Sequence, residues 1–303
     1  MSELIDWIAS GPWPIDGGLS GELEKLGHDL GDDLWSARLL RDDPQAIATV
    51  QRAYIQSGAR VLITSSYQAS RLGFMNVGMT AQEADGLMRT SIRIAQEVTQ
   101  DVDHKVWVAA SVGPYGAVLG GGQEYQGNYG KSHEELVAFH RERIEVLASA
   151  KPDLFACETI PDIVEVKALL EVLADYPHIP AWITMSCKDG EKTCAGQSIA
   201  ELGALTEEHS NIVAIGVNCT MPEFVESLLA TLRTASTKPF IVYPNTGRVW
   251  DGVNHCWVGE GLETIPSIVV GQWVKLGTQL IGGCCGLGPI AIENLDRDLA
   301  PLR

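Results

Sequence analysis

Three cysteines offer the most chemistry in this sequence. Cys284 and Cys285 stand side by side in Gly-Gly-Cys-Cys-Gly at 282–286, and Cys219 ends an apolar run well upstream. Neighbouring cysteines rarely bridge to each other, because consecutive Cα atoms are about 3.8 Å apart, too close for relaxed disulfide geometry. A closed structural zinc site usually takes four ligands, often from Cys-x2-Cys pairs, and the seven cysteines include no such pair. Three thiolates on zinc leave the fourth tetrahedral position open, as in a catalytic centre. Zinc there would hold a bound thiol as its thiolate at neutral pH. The implied chemistry is activation of a substrate sulfur. The plainer alternative makes Cys284 and Cys285 small buried residues in a tight turn.

These cysteines can meet only if the chain brings the ends of separate elements together. Eight short apolar, β-rich runs fall at 13–16, 60–66, 105–113, 153–159, 181–187, 212–219, 239–245 and 279–285. Stretches of helical spacing lie between them. Thr80-x-x-Glu83 and Ser132-x-x-Glu135 read as capping boxes before two of these helices. In the second, Leu136, Phe139, Ile144 and Leu147 return to one face, and a further helix follows Pro222. Apolar strands alternating with helices predict a parallel sheet covered by helices. Eight such units predict an α/β fold, a (β/α)8 TIM barrel forming a single domain over 1–303. A doubly wound open sheet is the alternative, but no G-x-G-x-x-G follows the first run.

The runs end on Asp16, Ser65-Ser66, Ser111, Glu158-Thr159, Ser186-Cys187, Asn218-Cys219, Asn245 and Cys284-Cys285. Polar or metal-binding chemistry closes every run, and barrel active sites are built at the C-terminal ends of the strands. Cys219 and the cysteine pair would therefore share one mouth. Side chains alternate between the faces of a strand, so two adjacent sulfurs reach one metal only through a sharp turn. Gly282, Gly283 and Gly286 would permit it, and a close backbone approach as well. Cys157 should point outward if Glu158 points into the mouth. Cys187 competes weakly as a ligand, and Cys194 and Cys256 fall in loops. His140 lies on the capped helix as a satisfied or exposed residue. The Gly-rich stretch 113–130 has the length of a lid or substrate loop.

Composition narrows the class. Of 303 residues 45% are hydrophobic and 20% charged, which is globular. A net charge of −17 argues against nucleic acid, whose phosphates it would repel, and weakly favours cationic ligands. The first residues lack a basic start and an apolar core, and no apolar run is long enough for a bilayer. The expectation is a cytoplasmic protein with reduced thiols, binding no membrane.

Several segments together resemble the homocysteine S-methyltransferases. They are IDGGLSGELEKLGHDL at 15–30, ITSSYQAS at 63–70, ASVGPYGAVLGGGQEYQGNYG at 110–130, CETIPD at 157–162, IGVNC at 215–219, VYPNTG at 242–247 and IGGCCG at 281–286. The Pro-Tyr-Gly loop ending in EYQGNY looks like the branch that uses S-methylmethionine rather than betaine. The resemblance implies a TIM barrel with zinc on Cys219, Cys284 and Cys285, and homocysteine bound to that zinc through sulfur. It implies that Asp16 and Glu158 hold the homocysteine amino group, consistent with the need of an ammonium for carboxylates. Ser65, Ser66, Ser111 and Gly113 are candidate contacts for the substrate carboxylate or backbone, and Asn245 for the donor side. Ser20-Gly21 departs from the family's more usual Ala-Thr.

The expected reaction is direct methyl transfer from a sulfonium to homocysteine. The same site with S-adenosylmethionine or betaine as donor, or selenocysteine as acceptor, is the enzymatic alternative. A thiol redox sensor or zinc store is the non-enzymatic one.

Overall fold

The computed structural model describes residues 1–31, 34–251 and 256–303. Its frame is eight parallel strands: β1 (Trp13–Pro14), β2 (Val61–Ile63), β3 (Trp107–Val112), β4 (Leu154–Ile160), β5 (Ala181–Met185), β6 (Ile212–Asn218), β7 (Phe240–Tyr243) and, after an inserted hairpin of β8 (Val249–Asp251) and β9 (Cys256–Val258), β10 (Thr278–Ile281). The hairpin interrupts the seventh repeat and was not foreseen. Backbone hydrogen bonding joins the strands in the order β1-β10-β7-β6-β5-β4-β3-β2. The two ends of that order meet: the Arg60 amide donates to the Pro14 carbonyl (2.9 Å) and the Asp16 amide to that of Val61 (3.1 Å). The sheet thus closes into the expected (β/α)8 barrel.

Alternation along the strands separates two apolar layers. On β4, Leu154 and Ala156 join the cluster inside the barrel, while Phe155 and Cys157 join the layer under the helices. Cys157 therefore points outward, as expected, and Glu158 follows Ala156's partner position to the inside. Trp182, Tyr243, Ile241, Leu280 and Val61 fill the interior. Its lower end is plugged by Leu4 and Ile8 of the N-terminal helix Ser2–Ala9. Each fully buried side chain of this size contributes about 1.5–3 kcal/mol of transfer free energy.

Both predicted capping boxes are present. The Glu83 amide donates to the Thr80 hydroxyl (3.3 Å) and the Thr80 amide to the Glu83 carboxylate (2.8 Å), starting Ala81–Val98. Ser132 and Glu135 do the same for His133–Ser149. The helix Pro222–Arg233 begins at its proline and buries Val225, Leu228, Leu229 and Leu232. Among the described residues no helix is long and apolar enough to cross a membrane.

Candidate active site

The sulfurs of Cys219, Cys284 and Cys285 lie within 4.8 Å of one another, and no other group of metal-binding side chains clusters this way among the described residues. Cys219 follows β6 directly, and its amide donates to the Tyr243 carbonyl at the end of β7 (3.1 Å). The Cys284 amide donates to Pro244 (2.7 Å), and the Cys285 carbonyl accepts from Thr246 (3.2 Å). The loop after β10 is thus laced to the loop after β7, which sits between the two cysteine-bearing ends.

The turn that aims the sulfurs is shared between glycine and cysteine. Gly286 takes a left-handed φ of +82°, but Cys219 itself takes +47°. That region is uncommon for a residue with a Cβ. Gly282 serves instead by close approach: a Cβ there would lie 2.3 Å from Ile15 Cγ1 and 2.5 Å from the Asp16 carbonyl oxygen. The sharp turn expected at all three glycines is therefore left-handed only at Gly286.

The donor set fits a metal. Sulfurs at about 2.3 Å from a tetrahedral zinc are roughly 3.8 Å apart, and Cys219 Sγ is 3.6 Å from Cys285 Sγ. Ionisation within the cluster settles on Cys219, whose thiol is driven well below its ordinary value by hydrogen bonds from Cys284 and Cys285, against the effect of burial, with help from Tyr125. The Cys284 and Cys285 thiols are pushed up correspondingly. Three ionised sulfurs at this spacing need a cation between them.

Two carboxylates line the same mouth. Asp16 Oδ2 accepts from the Ile63 amide (2.7 Å), while its buried Oδ1 has no partner among the described residues. Burial pushes its carboxyl well above the ordinary range, and the nearby Glu158 adds to this. Glu158 is also buried, and its Oε1 accepts from the Ser111 hydroxyl. Burial raises Glu158 to about 7, partly offset by hydrogen bonds from Ser111 and Tyr243. An unsatisfied carboxylate oxygen beside a second carboxylate suits an ammonium, which has three protons to donate.

The remaining candidates divide. Ser65 Oγ is buried and without a partner among the described residues, so it is free to contact a ligand. Ser66 is engaged, donating to the Ser111 carbonyl (2.8 Å) and sharing a hydrogen bond with Thr64 (2.7 Å). Gly113 presents its carbonyl to buried Arg143 (2.9 Å), which also donates to the Ser66 (2.6 Å) and Tyr67 carbonyls. Asn245 turns back on its own loop, accepting from the Gly247 amide (2.9 Å). Cys187 and Cys194 stand outside the sulfur cluster. The Cys256 side chain lies outside the described residues. His140 is buried and satisfied, 2.8 Å from Glu165.

Tyr125, Glu124 and Arg143 are not marked as site residues by the sequence, and Asn218 is marked only as the end of a run. Tyr125 places its hydroxyl 3.0 Å from Cys219 Sγ. Glu124 precedes it. Both lie in the Gly-rich loop, where EYQGNY offered a signal that was not assigned to side chains. Asn218 joins Thr159 and Thr184 under the site. Arg143 gathers the ends of β2 and β3, and nothing in its helical spacing marks it.

Comparison with known proteins agrees with this geometry. The family model described as homocysteine S-methyltransferase matches residues 15–299. Homocysteine S-methyltransferase 1 of Zea mays is 40% identical, over 99% of this chain and 98% of that protein. Homocysteine S-methyltransferase YbgG of Bacillus subtilis is 39% identical, over 93% of this chain and 92% of its own. The metallated form of the homocysteine methyltransferase MmuM from Escherichia coli superposes with a TM-score of 0.86 at 35% identity, covering 97% of this chain and 98% of that one. A metallated relative and a three-cysteine cluster are both in keeping with a metal site. The closed barrel, its sulfur cluster and these matches along nearly the whole chain lead to one conclusion: the protein belongs to the homocysteine S-methyltransferase family.

Proposed function

We propose that this protein methylates the sulfur of L-homocysteine to form methionine. Zinc on Cys219, Cys284 and Cys285 and S-methylmethionine as donor complete the reading, with 1–303 acting as one homocysteine-binding barrel in the reducing cytoplasm. The observation that carries it is a three-sulfur cluster sharing a mouth with two buried carboxylates, one of them holding an unpartnered oxygen. A zinc store or redox sensor would leave Asp16 and Glu158 without a task, and buried carboxylates are costly without one.

Zinc would keep the homocysteine sulfur as a thiolate at neutral pH. The protein's own part is placement. Asp16 Oδ1 and Glu158 accept from the substrate ammonium, and Ser65 donates to its carboxylate. With both ends of the amino acid fixed, its sulfur is directed at the cysteine cluster. The thiolate attacks the donor methyl carbon in line. A carbon–sulfur bond forms, the donor's methyl–sulfur bond breaks, and its electron pair neutralises the sulfonium. Anion and cation become two neutral thioethers, so no proton moves and no general acid is required. Alignment and exclusion of water supply the acceleration, and the loop bearing Tyr125 covers the sulfurs.

The test joins metal analysis to a donor panel. Protein prepared under reducing conditions should carry about one zinc per chain, as a single tetrahedral site requires, and lose it in Cys219→Ser and Cys285→Ser. It should form methionine from homocysteine and S-methylmethionine faster than from S-adenosylmethionine or betaine. Full zinc content with no methionine from any sulfonium donor would overturn the reading. Selenocysteine in place of homocysteine measures acceptor preference in the same assay.

A further inference from the structure

The mouth holds a third carboxylate that the acceptor does not use. Glu124 sits on the short turn Gln123–Tyr125, within the Gly-rich loop. Its Oε2 is shielded from solvent and has no hydrogen-bond partner among the described residues. Its electrostatic neighbours are Cys219, Cys285, Tyr67, Tyr125 and Tyr129, with no cation among them. A carboxylate with one shielded, unpartnered oxygen facing thiols and phenols is an arrangement that a protein keeps at a cost.

Two observations narrow its purpose. First, its oxygens do not join the three sulfurs, which cluster within 4.8 Å without any carboxylate. Glu124 is therefore not placed as a fourth metal ligand. Secondly, Asp16 is influenced by Glu158 and not by Glu124, although Glu158 and Glu124 both feel Cys219. The acceptor has one ammonium, and Asp16 with Glu158 provides for it. The other substrate of the proposed reaction is a cation as well, and it must approach the acceptor sulfur from the loop side.

We propose that Glu124 is the counter-charge for the cationic methyl donor, holding the sulfonium between its carboxylate and the rings of Tyr67 and Tyr125. This rests on the function proposed above and adds a donor subsite to it. Tyr125 is tied to Cys219 at 3.0 Å, which fixes the turn over the sulfurs and sets Glu124 beside them. Aromatic faces attract cations, more strongly when water is excluded. Burial has raised the Glu124 carboxyl to about 7, and an arriving cation would restore its ionised form. The attraction is lost once the methyl has moved, because the departing thioether is neutral. Glu124 therefore favours cationic donor over neutral product and aids release. It also selects net-positive sulfonium donors over zwitterions such as betaine.

The experiment measures binding directly, with S-methylmethionine as the probe. Titration calorimetry on zinc-loaded wild type and Glu124→Gln, without homocysteine, should show at least a tenfold weaker Kd in the variant. Homocysteine affinity and zinc content should be unchanged, and Glu124→Asp should recover part of the loss. In turnover, the KM for S-methylmethionine should rise with little change in kcat. Equal donor affinity in wild type and Glu124→Gln overturns the proposal. So does an equal loss of donor and homocysteine affinity, or a wild type that does not bind the donor. A wild type that binds S-methylmethionine through Glu124 yet makes no methionine would instead sink the proposed reaction and leave the cation site standing.

Discussion

The hydroxyl of Tyr125 lies 3.0 Å from the sulfur of Cys219, and it helps to hold that thiol well below its ordinary value. A phenol donating to a thiolate orients the ligand and spreads its charge. Outer partners of this kind are typically worth about 10–100-fold in metal affinity. Tyr125→Phe keeps the ring and removes only the donor. Zinc affinity, measured by competition with a chromophoric chelator, should fall within that range while the fold is retained. An unchanged affinity would show that the contact is incidental.

Beneath the cluster, Asn218 performs a bracing role. Its Oδ1 accepts from the Thr159 amide (2.6 Å) and the Thr184 hydroxyl (2.7 Å), and its Nδ2 donates to Thr159 Oγ1 (2.7 Å). Thr159 has a φ of +60° and neighbouring Cys219 +47°, each a conformation that costs about 1–3 kcal/mol unless its surroundings impose it. Asn218→Ala removes the brace and strands buried polar groups, which cost about 1–3 kcal/mol each. Urea unfolding should show a loss of about 2–4 kcal/mol. Zinc affinity should fall with it, because Cys219 is next in the chain.

Acid stability has a local contributor away from the site. Glu207 accepts hydrogen bonds from Ser236 Oγ (2.5 Å), Thr237 Oγ1 (2.6 Å) and the Thr237 amide (3.1 Å), tying the helix Ala200–Thr206 to the segment that enters β7. These bonds hold its carboxyl down at about 2, below the roughly 4.3 of an unfolded chain. A depressed carboxyl stabilises the fold above its unfolded value, and the gain is lost as pH falls from there through about 2. Glu207→Gln should therefore lower the urea midpoint at pH 7, with the difference from wild type shrinking at pH 3. The effect is modest, because solvent screens a group this exposed.

The barrel and its cluster were legible for a common reason: both are written in residue type at strand ends. Apolar runs closing on Asp16, Glu158, Cys219 and Cys284-Cys285 place those side chains together once eight strands are parallel. What the pattern does not carry is direction within a loop. Ser65 and Ser66 are identical in type, yet Ser66 is bound into the frame by Thr64 and Ser111 while Ser65 Oγ has no partner among the described residues. Which of them faces inward depends on where the backbone leaves the ladder. Tyr125 and Glu124 were hidden similarly, because a Gly-rich loop has no period from which to read a face. The hairpin of β8 and β9 looked like a connection, since its strands are only three residues each.

Gly282 links the two halves of the site. Its amide donates to the Val242 carbonyl (2.9 Å), and the next amide, of Gly283, donates to the Asp16 carbonyl (3.0 Å). The segment that leads from β10 to the cysteine pair is thereby pressed against the end of β1 at Asp16. A Cβ at 282 would meet Ile15 Cγ1 at 2.3 Å and the Asp16 carbonyl oxygen at 2.5 Å. Carbonyl backbone cannot yield as the end of a flexible side chain can, so β1 and β10 must part. Overpacking of this kind costs about 1–3 kcal/mol. Gly282→Ala should therefore lower stability by that amount, and it should also weaken both zinc and homocysteine binding, although residue 282 touches neither. Calorimetric titration of homocysteine into zinc-saturated variant separates the two effects. If affinity survives saturation with metal, Gly282 acts on the cysteines alone. A loss that persists shows that Asp16 moves with them.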